Sequence, residues 1–153
     1  MSDKNFVFTL VTPEERLVKP TQVISVNAQG KEGAFTALPG HTPFLTPILD
    51  GTVVKYVTPD NRVEEFYVDA GIIEVLPDRV SVLAEAAVRE SELDPEKLAR
   101  EIKEAERRRE ASRLLAEADM KRDPSRKKPV AETDLELQIS RAVRRLKHID
   151  KKR

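Results

Sequence analysis

The 153-residue chain contains neither cysteine nor tryptophan. Without thiols there is no disulfide framework, no thiolate zinc site and no thiol nucleophile. Histidine is nearly absent too: His41 and His148 stand far apart, at no metal-ligand spacing. Of five glycines, Gly30 and Gly33 lack the lysine and the strand–loop–helix context of a phosphate-binding loop. No serine sits in a nucleophile-elbow sequence. Asp69 and Glu74 form a nominal carboxylate pair, read here as hairpin surface acids, and His41 is read as a turn residue bonded to nearby backbone. The inventory excludes the usual enzyme classes. No apolar run approaches the length needed to cross a bilayer, and the start MSDKNF is not an export signal. The expectation is a soluble intracellular protein that meets a membrane only through a partner.

What is present divides the chain in two. The formal net charge is zero, but residues 1–90 hold 8 Lys and Arg against 13 Asp and Glu, and the remainder holds 19 against 14. An acidic half followed by a basic half implies two modules with different partners.

The first half is punctuated by turns. Phe6–Val11 (FVFTLV) and Thr21–Asn27 (TQVISVN) read as strands, and Phe35 opens a short third strand ending at Pro39. Next come Thr52–Val57, a Thr58-Pro59-Asp60-Asn61 turn, Val63–Val68, a turn at Asp69-Ala70-Gly71, Gly71–Leu76 and Val80–Leu83. Short strands between turns predict an antiparallel β-sandwich or flattened barrel over residues 1–88. One stretch resists this pattern. Ala34–Gly51 (AFTALPGHTPFLTPILDG) carries Pro39, Pro43 and Pro47 among large apolar residues. Three prolines argue against an ordinary strand, and the apolar content argues against a solvated loop. It reads as a buried turn or as a surface that another molecule covers.

From Ser91 the period changes. Asp94 suits an N-cap and Pro95 the first helical turn. Residues 89–153 are predicted to form an antiparallel helical hairpin, with helices over about 94–121 and 132–151 and a basic linker over 122–131. The first helix has a thin apolar face: Leu98, Ile102, Ala105, the interrupting Arg109, Ser112 and Ala116. In the second, Leu135, Ile139, Ala142, Leu146 and Ile149 make a coiled-coil-type seam flanked by Arg141, Arg144 and Arg145. So narrow a seam buries little, leaving the hairpin marginal by itself. The basic tail suits a solvated face, nucleic acid or an acidic protein. Interleaved acids and the shortage of aromatics, 5% of the chain, count against nucleic acid.

The segments PGHTPFLTPILDG and FYVDAGIIEVLPDRVSVLAEAAVRESELD, followed by two charged helices, resemble the epsilon subunits of bacterial F-type ATP synthases over nearly the whole chain. The resemblance implies a non-catalytic central-stalk subunit that couples proton flow to ATP synthesis and inhibits hydrolysis. Its implied partners are the gamma subunit, the c-ring and the alpha and beta catalytic subunits. Its implied place is the cytoplasmic face of the bacterial inner membrane, as a peripheral component. Implied contacts on the gamma and c-ring side are Glu32, Gly40, His41 and Pro43, with Ala34 where many members carry a ring-contacting acid. In an extended hairpin, Arg141, Arg144 and Arg145 would meet the catalytic head. Some members bind ATP through an Ile/Leu-Asp-x-x-Arg-Ala motif. The window from Val130 to Leu135 (VAETDL) has Ala131 at the place of the acid and Asp134 at that of the arginine, so no cofactor is expected. The alternative is a free-standing β-sandwich adaptor whose basic helical tail binds nucleic acid or an acidic protein.

Overall fold

The computed structural model describes residues 4–125 and 131–152, without the side chains of 131–133. The basic run 126–129 and Val130 therefore lie outside the described residues, as do the side chains of Ala131, Glu132 and Thr133 in the window compared with the ATP motif. Two compact units follow one another, Met1–Glu92 and Leu93–Arg153.

The first unit holds eight strands: β1 (Phe6–Val11), β2 (Arg16–Val23), β3 (Ser25–Gly30), β4 (Gly33–Ala37), β5 (Phe44–Ile48), β6 (Thr52–Val57), β7 (Val63–Leu76) and β8 (Arg79–Arg89). Their order is β2-β1-β8-β7-β5-β3-β4, with β6 bridging β3 and β7. β7 organises the unit. Its first half pairs with β6, its second half with β5, and nearly its whole length with β8. Alternation along the strands sends one face inward, so Phe6, Phe8, Leu10, Val26, Val54, Phe66, Val68, Ile73, Val75, Val80 and Val82 close a single core.

This is the expected sandwich followed by two helices, with instructive departures. β1 runs parallel to β8, with Val7 opposite Arg79 and Val11 opposite Leu83, so the sandwich is not wholly antiparallel. The predicted strand Thr21–Asn27 is two strands broken at Ile24. There the chain leaves β1 (Val23 opposite Phe6) for β6 (Ser25 opposite Val57), and Ile24 donates its N–H to the Val57 carbonyl. Asp69-Ala70-Gly71 is not a turn. It is a kink inside β7, where Ala70 (φ 52°) and Gly71 (φ 155°) take left-handed backbone while pairing with β8 resumes on both sides. A Cβ on Gly71 would stand 2.5 Å from the Leu83 carbonyl oxygen, so only glycine lets β8 lie this close.

The proline-rich stretch also corrects the expectation. It contains β4, which ends at Ala37 rather than Pro39, and an ordered strand, β5, with Pro47 inside it. Pro47 lies opposite Ile72 of β7, but its carbonyl accepts from Lys31 N–H on the other side (3.0 Å). Its backbone polar groups face away from the β7 ladder, so no donor to β7 is lost. Pro20 is tolerated for a related reason, since β2 is a terminal strand.

The second unit comprises α1 (Pro95–Arg122) and α2 (Ala131–Lys152), packed along one another. The Asp94 carboxylate accepts from the Glu96 and Lys97 amides at 2.9 and 3.3 Å, capping α1 with Pro95 at its start. A 28-residue helix is about 42 Å long, and the short link to Ala131 cannot retrace that distance. The pair is therefore antiparallel. Among its described residues, Leu98, Ala105 and Ala142 are the buried apolar ones, while Leu114 and Leu115 remain exposed.

Candidate functional site

The β3–β4 turn is a two-residue connection, and Glu32 sits exposed at its tip. The turn containing Gly40, His41 and Pro43 lies beyond the other end of β4. Five strand residues put roughly 16 Å between the two. The structure thus separates Glu32 from the other three candidate contacts. Gly40 (φ 79°) donates to the Pro77 carbonyl at 2.8 Å, and His41 N–H to the Leu38 carbonyl at 3.0 Å. His41 Nδ1 donates to the Thr42 carbonyl (2.7 Å), and its ring lies 5.3 Å from that of Phe44, which in turn meets Phe35 edge-on at 4.8 Å. The histidine is a turn residue bonded to adjacent backbone, as read from the sequence. Its ring places the turn against β5.

What joins the two ends is a surface the sequence did not disclose. Along β5, Phe44 and Ile48 face the core side while Leu45 and Pro47 face out. Cross-strand register extends that outer face: Pro47 is opposite Ile72, Ile72 opposite Leu83, and Leu83 opposite Val11. Leu45, Ile72 and Leu83 are 65%, 44% and 61% exposed. Four adjacent strands therefore present one row of apolar side chains on a stiff support. Single exposed leucines are ordinary, whereas a contiguous row marks a surface built to be covered.

Asp69, expected from the sequence to be a surface acid, is instead fully buried, as is its neighbour Tyr67. Both alternate with the core residues Phe66 and Val68, so they occupy the opposite face of β7. The local reading failed because burial of this face depends on tertiary neighbours, not on the strand's own sequence.

At the far end of β7 and β8 the side chains form a second cluster. The Arg89 guanidinium donates to the Glu64 carboxylate and lies 4.8 Å from the centre of the Phe66 ring. Tyr56 stacks on Phe66, with ring centres 6.2 Å apart. Burial, reinforced by the Glu64 carboxylate, raises the Tyr56 phenol above its ordinary range against the opposing pull of Arg89 and Arg62. In the second unit, Arg141, Arg144 and Arg145 are half-buried and each is already engaged by a neighbour. Among the described residues no group of His, Asp and Glu is placed to hold a metal. None of their helices is long and apolar enough to cross a membrane.

Residues 5–90, the extent of the sandwich, match the family model for the β-sandwich domain of the ATP synthase delta/epsilon chain. The chain belongs to that family. It is accordingly a non-catalytic subunit of an ATP synthase. The ATP synthase epsilon chain of Desulfatibacillum aliphaticivorans is 36% identical over 107 residues, covering 70% of this chain and 74% of that one. The ATP synthase epsilon chain of Brucella anthropi is 39% identical over 100 residues, covering 65% and 73%. A chain of the Euglena gracilis mitochondrial ATP synthase, from a structure of OSCP, F1 and c-ring, superposes with a TM-score of 0.60 at 17% identity. That match covers 93% of this chain and 79% of that one, and at such identity the likeness is one of fold.

Proposed function

We propose that the chain is the epsilon-type subunit of the central stalk of a proton-translocating F-type ATP synthase. In this reading the sandwich is fixed to the rotor and the helical unit restrains ATP hydrolysis. The observation that carries it is the apolar row Leu45, Pro47, Ile72, Leu83, lying between the turn at Gly40, His41 and Pro43 and the turn at Glu32. The row suits the apolar flank of gamma, and the two turns suit the foot of gamma and the polar loops of the c-ring. Covering a Leu or Ile side chain fully is worth roughly 1.5–3 kcal/mol, so one such row sustains a lasting contact. The chain then sits on the cytoplasmic face of the bacterial inner membrane through the complex, and its nucleotide chemistry belongs to its partners. Arg141, Arg144 and Arg145 on α2 are the groups to engage an acidic surface of the catalytic head when the hairpin extends.

Co-purification tests the docking face. Leu45→Asp with Ile72→Asp places two carboxylates on exposed positions, so the sandwich should keep its fold. Gamma and the c-ring should then be lost from the purified chain. Retention of both at parental yield would remove the row from the interface.

A further inference from the structure

The cluster at the end of β8 stands where the sandwich unit gives way to the helical one. Arg89 is the last strand residue, and Glu90–Glu92 form a single 3-10 turn packed against β7. Arg89 reaches three groups. Its Nη1 donates to Glu64 of β7, its guanidinium covers Phe66 of β7, and its Nε lies 4.0 Å from the Glu92 carboxylate on the turn. The Arg89 and Glu64 side chains are only 34% and 31% exposed, so this pair is partly desolvated. Such a pair holds more firmly than a free surface pair. On the other side of the boundary, Asp94 is committed to the amides of Glu96 and Lys97. Between the clasped turn and the capped helix lies one residue, Leu93.

We propose that Arg89 is the positioning residue of the joint on which the helical unit turns. The inference rests on the reading that this unit changes position. While Arg89 holds Glu64 and Glu92, the turn moves with the sandwich and rotation is confined to the backbone about Leu93. When the clasp is lost, Glu90–Glu92 unwind. Three residues passing from about 2.0 to about 3.3 Å of rise each add roughly 4 Å of reach and several soft dihedrals. Arg89 thereby sets both where the hinge begins and how far the hairpin extends.

Amide hydrogen exchange on the full chain, paired with ATP hydrolysis by the assembled complex, tests this. Arg89→Lys keeps the charge but loses the planar fork, Glu64→Gln removes the strand arm, and Glu92→Gln removes the turn arm. All three should speed exchange at Glu90–Leu93, by roughly tenfold for the first two and less for the third, with β7 and β8 amides unchanged. Latency of hydrolysis should shift in the same rank order. Parental exchange at Glu90–Leu93 would overturn the proposal, and so would acceleration spread through β7 and β8. A chain ending at Glu92 separates the two levels. If truncation releases hydrolysis while the clasp variants leave latency unchanged, the joint is wrong and the brake stands. If truncation releases nothing while local exchange still accelerates, the brake reading falls and the clasp stands.

Discussion

At the scale of single residues, the kink in β7 shows how narrowly this sandwich is specified. Gly71→Ala would drive a methyl group into the backbone of Leu83 and Ala84, which cannot step aside as a flexible side chain would. The expected cost is about 3 kcal/mol, read as a lowered thermal midpoint of the isolated chain. Ala70→Gly is the control. It relieves left-handed strain but loosens the unfolded chain, and the two should cancel to within about 0.5 kcal/mol. A second residue-level outcome concerns Tyr56. Its phenol is raised in the fold, so the native state holds the proton more tightly than the unfolded chain does. That contribution is complete below the ordinary value of 10.0 and drains away as pH climbs toward the raised one. Denaturant titrations should show the parent losing stability above pH 10 faster than Tyr56→Phe. Parallel curves would mean that the environment of Tyr56 is not as described. Asp69 belongs to this scale as well. An acid in a strand gives no local sign of whether its face will be covered, which is why its burial was not legible.

At the scale of elements, legibility followed the range of the determining contacts. β6 and the first half of β7 could be read because a local alternation and a Thr58-Pro59-Asp60-Asn61 turn define them. That turn is secured by the Thr58 hydroxyl and by Asn61 in left-handed backbone. The start of α1 was equally plain, since an N-cap is a local device. Asp94→Ala should cost about 1 kcal/mol of helical-unit stability and show as fraying of the first turn by hydrogen exchange. The path of β7 through Gly71 was not readable, because its continuity comes from β8, where Asp69 pairs with Ala86 and Gly71 with Ala84, not from Asp69-Ala70-Gly71. Nor was the outer row visible, since Pro47, Ile72 and Leu83 become neighbours only once three strands are aligned. The candidate contacts were thus partly readable: the Gly40–Pro43 turn from its own residues, the face beside it only from the fold. On α2, Arg141, Arg144 and Arg145 carry the functional prediction. Reversing all three to Glu should weaken restraint of hydrolysis severalfold while gamma and the c-ring still co-purify. Loss of assembly would instead place these arginines in the permanent interface.

At the scale of the molecule, the proposed division of work between the two units matches how each is packed. The sandwich has a continuous core and non-local pairing, as suits a part that must transmit torque without deforming. The hairpin has a thin seam, few buried residues and a basic surface, as suits a part that exchanges one set of contacts for another. Driving such an element almost wholly from one position to the other takes roughly 5 kcal/mol of differential stabilisation, within reach of a modest interface. The most direct measurement is ATP hydrolysis by the complete ATP synthase assembled with the chain ending at Glu92. If the sandwich anchors and the hairpin restrains, the complex forms at normal yield and hydrolyses ATP severalfold faster than with the full chain. Normal assembly with hydrolysis at the parental rate would contradict the division of labour between the two units.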